Sequence, residues 1–390
     1  MRKTLLLALV FFTSITAFGQ DFSNKGKDFW LCFPNHVPSG TSFATLSIFI
    51  TSDRASTGTI TMPNGAFSGT FNIAANGIQE IQIPWNANIH ISNGESSNEN
   101  VTNILNKSIR IKVDAGQPAV VAYAQQWAGA RSAATLLLPV NVLGRKYFAV
   151  SFNQAGSNNG TYIARSQFQI IATKPNTVVE ITPVKNGVKG TKYTVNLPLA
   201  GDMIQYQSPD AAAGTQDLTG TYIESVAGAS GCLPIAVYSG SSNVTFGTQT
   251  PSCSGNSYDP LWQQLYPATT WGKNFGFIPF ADYLSRGNPY RVMASEDNTN
   301  VYFNGALVGT LNAGQIYPAA FTAQPATLTA PTYITSDKPI CVTQYAQADA
   351  CTGQTGGGRV GDPDMVILNP IEQNISDITV FSSTRQAISK

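Results

Sequence analysis

The acidic group Asp362-Pro363-Asp364, with Glu372 close behind, is the part of this chain best suited to holding a cation. Carboxylates and loop carbonyls make the oxygen shell that Ca²⁺ takes, so Asp362 and Asp364 are its candidate ligands. Asp-Pro also starts turns, and Asp259-Pro260 stands at a comparable place in the chain. A structural turn is therefore the plainer reading, and no other cofactor is expected. Glu296-Asp297 is a second carboxylate pair. A glycosidase needs two carboxylates facing across a cleft, whereas neighbours on an extended strand point to opposite faces. Solvated turn charges are the better account, and nothing selects a distant partner such as Glu224.

Nucleophilic catalysis has little to draw on. No G-x-S-x-G elbow occurs, and a Ser-His-Asp set would have to use His36 or His90, the two histidines of the chain. His36 follows Pro34-Asn35 in an expected loop and His90 alternates within NIHIS, so both read as surface or strand residues. They are far apart in the chain and no C-x-x-C occurs, which argues against zinc. Gly356-Gly357-Gly358-Arg359 lacks the Lys-Ser/Thr of a phosphate loop and reads as a connector. No catalytic residue is expected.

Five cysteines fit an oxidising destination. Pairing neighbours gives Cys232–Cys253 and Cys341–Cys351, each closing a local loop and adding roughly 2–4 kcal/mol. Cys32 is left over as a buried free thiol. Of the five tryptophans, Trp30, Trp262 and Trp271 lie at openings or joins of the repeats described below and read as packing residues. Trp85 and Trp127 fall at strand ends and are the candidate ligand contacts, since exposed aromatics anchor proteins and stack on sugars.

Positioning these residues is the work of a repeated β pattern. Alternating apolar residues run into a tight connection and out again at Tyr290–Gly305 (YRVMASEDNTNVYFNG), at Phe168–Pro183 and, more loosely, at Leu46–Pro63. Each reads as a hairpin. Each follows a similar opening: Gly26-Lys27-Asp28-Phe29-Trp30, Gly144-Arg145-Lys146-Tyr147-Phe148 and Gly272-Lys273-Asn274-Phe275. A Gly-containing turn and a final extended pair, with Pro118, Pro234 or Pro339 before its last strand, complete each copy. Four elements in one order, three times, mark tandem units.

The expectation is an all-β protein of three tandem β-sandwich-like units, 20–143, 144–271 and 272–361, packed through apolar joins. Residues 362–390 form a closing segment or the start of a further unit. Blades of a propeller repeat at a much shorter period. The best helical candidate is Tyr258–Tyr266.

Charged residues make up only 12% of the 390, about half of ordinary usage, and the net charge is +1. With no basic run, nucleic acid is not an expected partner. Arg2-Lys3, the apolar run Leu5–Phe12 and Ala17-Phe18-Gly19 make residues 1–19 a cleaved signal peptide. No later apolar stretch is long enough to span a bilayer. The protein is expected to be secreted or displayed at the cell surface.

Four blocks resemble the IgGFc-binding protein N-terminal domain family: GKDFWLCFPN, DPLWQQLYPATTWGKNF, SDKPICVTQYAQADAC and GDPDMVILNPIEQNISDITVFSS. The resemblance runs collinearly over the mature chain. It implies an exported, surface-associated β-rich module, often the N-terminal part of a larger protein, with further C-terminal domains where the chain is a fragment. It supplies no catalytic motif, and the immunoglobulin binding of animal relatives is not carried over. The expected function is thus a non-enzymatic binding or adhesion module for an extracellular protein or glycan. Its rivals are a carbohydrate-active hydrolase, which needs a cleft with paired carboxylates, and a purely structural spacer.

Overall fold

The computed structural model describes residues 24–40, 45–153, 158–159, 162–208, 216–226, 233–249, 252–255, 257–281, 286–322, 324–352, 361–374 and 379. The expected signal peptide, Cys232 and the Gly356–Gly358 connector lie outside them. What is described is all-β, every strand pairing is antiparallel, and the helical pieces are single 3₁₀ turns. The first third holds β1 (Asp28–Leu31), β2 (Thr45–Ser52), β3 (Ser56–Thr61), β4 (Ser68–Ile73), β5 (Gly77–Ile83), β6 (Ile109–Val113), β7 (Val121–Ala128) and β8 (Arg131–Leu136). They form two sheets, β4-β3-β6-β1 and β5-β2-β7-β8.

The middle third holds β9 (Lys146–Phe148), β10 (Ser166–Ala172), β11 (Thr177–Thr182), the short hairpin β12 (Val184–Lys185) and β13 (Val188–Lys189), β14 (Tyr193–Leu197), β15 (Met203–Gln207), β16 (Tyr222–Val226), β17 (Ile235–Val244) and β18 (Asp259–Gln264). Its two main sheets, β14-β11-β16-β9 and β15-β10-β17-β18, repeat the earlier strand orders.

The last third holds β19 (Gly272–Phe277), β20 (Asn288–Ala294), β21 (Thr299–Phe303), β22 (Ala306–Leu311), β23 (Ile316–Tyr317), β24 (Thr327–Leu328), β25 (Thr332–Ala346) and β26 (Asp364–Ile367). Here both orders appear again, fused into one eight-stranded sheet by β25. Its first half pairs with β19 and β21, its second half with β20 and β26.

The repeated segments are not hairpins. β10 and β11 flank Asn176 but belong to different sheets, as do β2 and β3, while β20 and β21 pair with opposite halves of β25. Each tight connection is therefore an arch, between two sheets in the first two thirds and between the two halves of one sheet in the last. Asn176 and Asn298 turn it in the left-handed region, φ 58° and 54°, which asparagine tolerates better than most residues. Burial accounts for the separation. β2, β10 and β20 are buried nearly throughout, whereas β3 and β11 alternate, so the paired strands sit in layers of different depth.

The expected helix at Tyr258–Tyr266 is a strand, β18, paired with β17. Successive residues Leu261 and Trp262 are both buried, on opposite faces, which a sheet between two layers allows and a surface helix does not.

Three apolar clusters form the core. The first joins Ile48, Ile60, Ile109 and their neighbours to Ile171, Met203, Tyr238 and Trp262 of the middle third. The second joins the middle third to Met293, Cys341, Tyr345 and Met365. The third is confined to the last third. Each join is a close approach: a Cβ on Gly26, Gly144 or Gly272 would stand 2.0, 2.6 or 2.2 Å from Pro139, Pro267 or Pro370.

One core position works against stability. Gln126 is fully buried opposite Leu46 and Ala133, and neither amide atom has a hydrogen-bond partner. Gln126→Leu removes two desolvated polar groups and is expected to raise unfolding free energy in urea by about 1–3 kcal/mol. A lower midpoint in the variant would show that the amide is needed.

Candidate binding site at the converging loops

The connections that precede β8, β18 and β26 occupy equivalent places in the repeated strand order, and they meet at one end of the molecule. The Ser132 amide donates to Asp259 Oδ1 at 2.7 Å, and the Arg131 guanidinium lies 5.7 Å from the Tyr258 ring centre. Ser257 Oγ accepts from the Asp349 amide at 3.1 Å and donates to the Gly361 carbonyl at 3.4 Å. The Ala348 amide reaches the Phe246 carbonyl at 3.1 Å.

A disulfide completes the tie: Cys253 to Cys351. This corrects the neighbour pairing. Cys341 is a buried free thiol, as is Cys32. Cys341 sits inside β25 opposite Met293, and the rest of that strand separates it from Cys351. At about 3.3 Å per residue the two Cα atoms lie far beyond disulfide reach. Burial pushes the Cys341 thiol up to about 12, so it is inert.

Trp127 ends β7 beside this cluster, opposite Ser132. It is 39% exposed, and its indole N–H is already satisfied by the Gly129 carbonyl. The ring is thus fixed at its edge and offers its face. Trp85 is different: it is half-buried and stacked on His90 at 3.8 Å, which makes it a packing residue. Trp30 and Trp262 are buried in the first cluster, and Trp271 packs against the second.

The carboxylates gather as the sequence did not indicate. Asp259 is buried, and burial together with Asp362 and Asp364 pushes its carboxyl up to about 9. Asp362 is raised as well, chiefly by burial. A carboxyl group that keeps its proton at neutral pH donates a hydrogen bond as well as accepting one, beside an aromatic face and the Arg131 cation. That combination suits a hydroxyl- or amide-rich ligand. Among the described residues no three His, Cys, Asp or Glu side chains are placed to hold a metal ion, Asp362 and Asp364 included.

His36 and His90 correct a second expectation. Neither is at the surface; both are buried, and the His36 imidazole lies close enough to bear on His90. The strap after β1 explains this. Asn35 bonds Gln205 and Gln167 across the first join, so the strap is held between layers rather than in solvent. Both ring nitrogens of His36 and Nε2 of His90 have no partner. The polar neighbours of Pro34-Asn35-His36 gave no hint of this, because the cover comes from residues more than a hundred positions later.

No helix among the described residues is long and apolar enough to cross a membrane. Comparison with solved structures gives a chain described as "Structural insight into host cell surface retention of a 1.5-MDa bacterial ice-binding adhesin", 12% identical over 85% of this chain and 87% of that one, with a TM-score of 0.12. No curated protein matches. The family model described as IgGFc binding protein matches residues 133–389, from within β8 onward, and so leaves out the GKDFWLCFPN block. That match takes in the loops of β18 and β26, the disulfide and Asp259, Asp362 and Asp364, and by it the chain belongs to the IgGFc binding protein family.

Proposed function

We propose that the chain is a non-enzymatic binding module of the cell exterior, built from three tandem β-sandwich units with boundaries at 20–143, 144–271 and 272–361. Its ligand is an extracellular protein or glycan, held at the end where the three equivalent loops meet. One observation carries this: a loop from each third converges there, tied by Cys253–Cys351 and the Asp259–Ser132 bond, with the face of Trp127 presented alongside. Rigid layers that position adjacent loops are the usual support of a binding surface. The paired sheets and repeated strand order support the tandem reading, and the seams between thirds give the loops fixed relative positions.

The family description names the Fc part of IgG, which makes an Fc fragment the first protein probe, beside a glycan array. Binding to at least one is expected, and Trp127→Ala is expected to weaken it at least tenfold with the unfolding midpoint unchanged. Binding that survives Trp127→Ala at full strength would remove this end of the molecule from the function. A folded protein that binds neither an Fc fragment nor any arrayed glycan would favour the spacer reading.

A further inference from the structure

The two seams are built the same way. The outward face of β15-β10-β17-β18 is covered by the strap that follows β1. Tyr238 donates its hydroxyl to the Trp30 carbonyl at 2.7 Å, the Phe33 and Trp262 rings lie 5.8 Å apart, and Asn35 bonds Gln205 and Gln167. The outward face of β20 and the second half of β25 is covered by the strap that follows β9. Tyr345 donates to the Ser151 carbonyl at 2.9 Å, Arg291 donates to the same carbonyl at 2.9 Å, and Phe152 packs 4.9 Å from Tyr345. In each case an opening strand and its strap lie across the second sheet of the following third.

The remaining second sheet, β5-β2-β7-β8, has the same kind of face. Phe49 stands opposite Tyr123 and Glu80, at the register of Gln169 and Arg291 in the two seams. It is only 5% exposed. Among the described strands, no opening precedes β1.

A further opening exists in the sequence. Pro139, Pro267 and Pro370 each lead into a 3₁₀ turn. After those turns come GRKYFAVSF at 144–152, GKNFGFIPF at 272–280 and ISDITVFSS at 375–383. In that alignment Phe381 stands where Cys32 and Val150 stand, 0% and 2% exposed within the seams. The third opening, after which the described residues contain no further second sheet, leaves its equivalent residue Ile278 67% exposed. The one described residue of the last segment, Thr379, accepts a hydrogen bond from Asn24 Nδ2 at 3.0 Å, so that residue lies at the start of the first third.

We propose that residues 375–390 are a strap for the first sheet, laid across Phe49 and Tyr123 as the straps after β1 and β9 lie across the following sheets. The chain thereby joins its last segment to its first third. This rests on the repeated strand order and not on the ligand, so failure of the binding experiments leaves it standing.

The full-length chain is tested with the photo-crosslinker p-benzoylphenylalanine in place of Tyr123. Crosslinks within one chain to peptides from 375–390 are expected. Crosslinks that map elsewhere, or that join only separate chains, overturn the proposal. Phe381→Asp in the full chain is expected to lower the unfolding midpoint by about 3 °C or more and to raise binding of an apolar dye, while Ile278→Asp does neither. Equal behaviour of the two variants also overturns it.

Discussion

Replacing Cys253 and Cys351 by serine is expected to lower the unfolding free energy by about 4–5 kcal/mol. The bond closes a loop with a sequence separation of 98 residues. A cross-link of that span removes far more freedom from the unfolded chain than the two short loops of a neighbour pairing would. It also joins the loops that precede β18 and β26, so its loss should loosen the proposed binding end first. The expected signs are faster amide exchange at 245–249 and 345–352 and weaker binding of whichever probe is found, before global unfolding. Cys341→Ala leaves the disulfide intact and removes one buried sulfur, so its cost should stay near 1 kcal/mol. A non-reducing digest should yield one peptide pair containing Cys253 and Cys351. A pair containing Cys341 and Cys351, or a Cys341 variant as weak as the Cys253/Cys351 variant, would sink the assignment.

The contrast between these cysteines shows what the sequence could convey. Strand character was legible from alternation, and the three similar openings at Gly26, Gly144 and Gly272 each meet a proline at the close of their own third. Pairing was not legible. An arch and a hairpin share the same apolar alternation around an Asn turn, and only the layer that buries each strand decides between them. Asp259-Pro260 looked like a turn equivalent to Asp362-Pro363. In the fold the two dipeptides lie close together, one heading β18 and the other leading into β26, and electrostatics couples Asp259 to Asp362 and Asp364. That coupling depends on residues about a hundred positions apart, beyond what local spacing can express. The same strand-end reasoning selected Trp127, which is 39% exposed, and Trp85, which His90 covers.

The stability of this protein is expected to peak near pH 6.5 and to fall on both sides. His36 is held down to about 3, by burial first and then by Arg131. His90 is held well below its ordinary value by burial, with His36 and Lys107 adding to it and the Pro34 carbonyl opposing it. Lys107 also donates to the His90 carbonyl at 2.9 Å and pairs with Glu95 at 2.5 Å, so the cation beside the imidazoles is fixed in place. An unfolded histidine titrates near 6.5. Below that pH the unfolded chain takes up protons that the folded one refuses. Each histidine therefore removes about 1.4 kcal/mol of stability per pH unit, and its full contribution is present above pH 6.5. Asp259 has the opposite sign. Its folded value, about 9, lies above its unfolded value near 3.9, so its cost grows as pH rises between those limits, again by about 1.4 kcal/mol per unit. From pH 6.5 down to about 6 the two histidines outweigh Asp259, a net loss of about 1.4 kcal/mol per unit; below that Asp364 and Asp362, both raised by burial, take up protons as well and the limb flattens. From 6.5 up to 9 Asp259 acts alone and the loss has a similar slope. Urea midpoints measured from pH 5 to 8.5 test this directly. Asp259→Asn should abolish the alkaline limb and steepen the acid one, while His36→Leu should flatten the acid limb and leave the alkaline one. An acid limb unchanged by His36→Leu would show that the buried imidazoles are not its source. A rising alkaline limb in the wild type would do the same for Asp259.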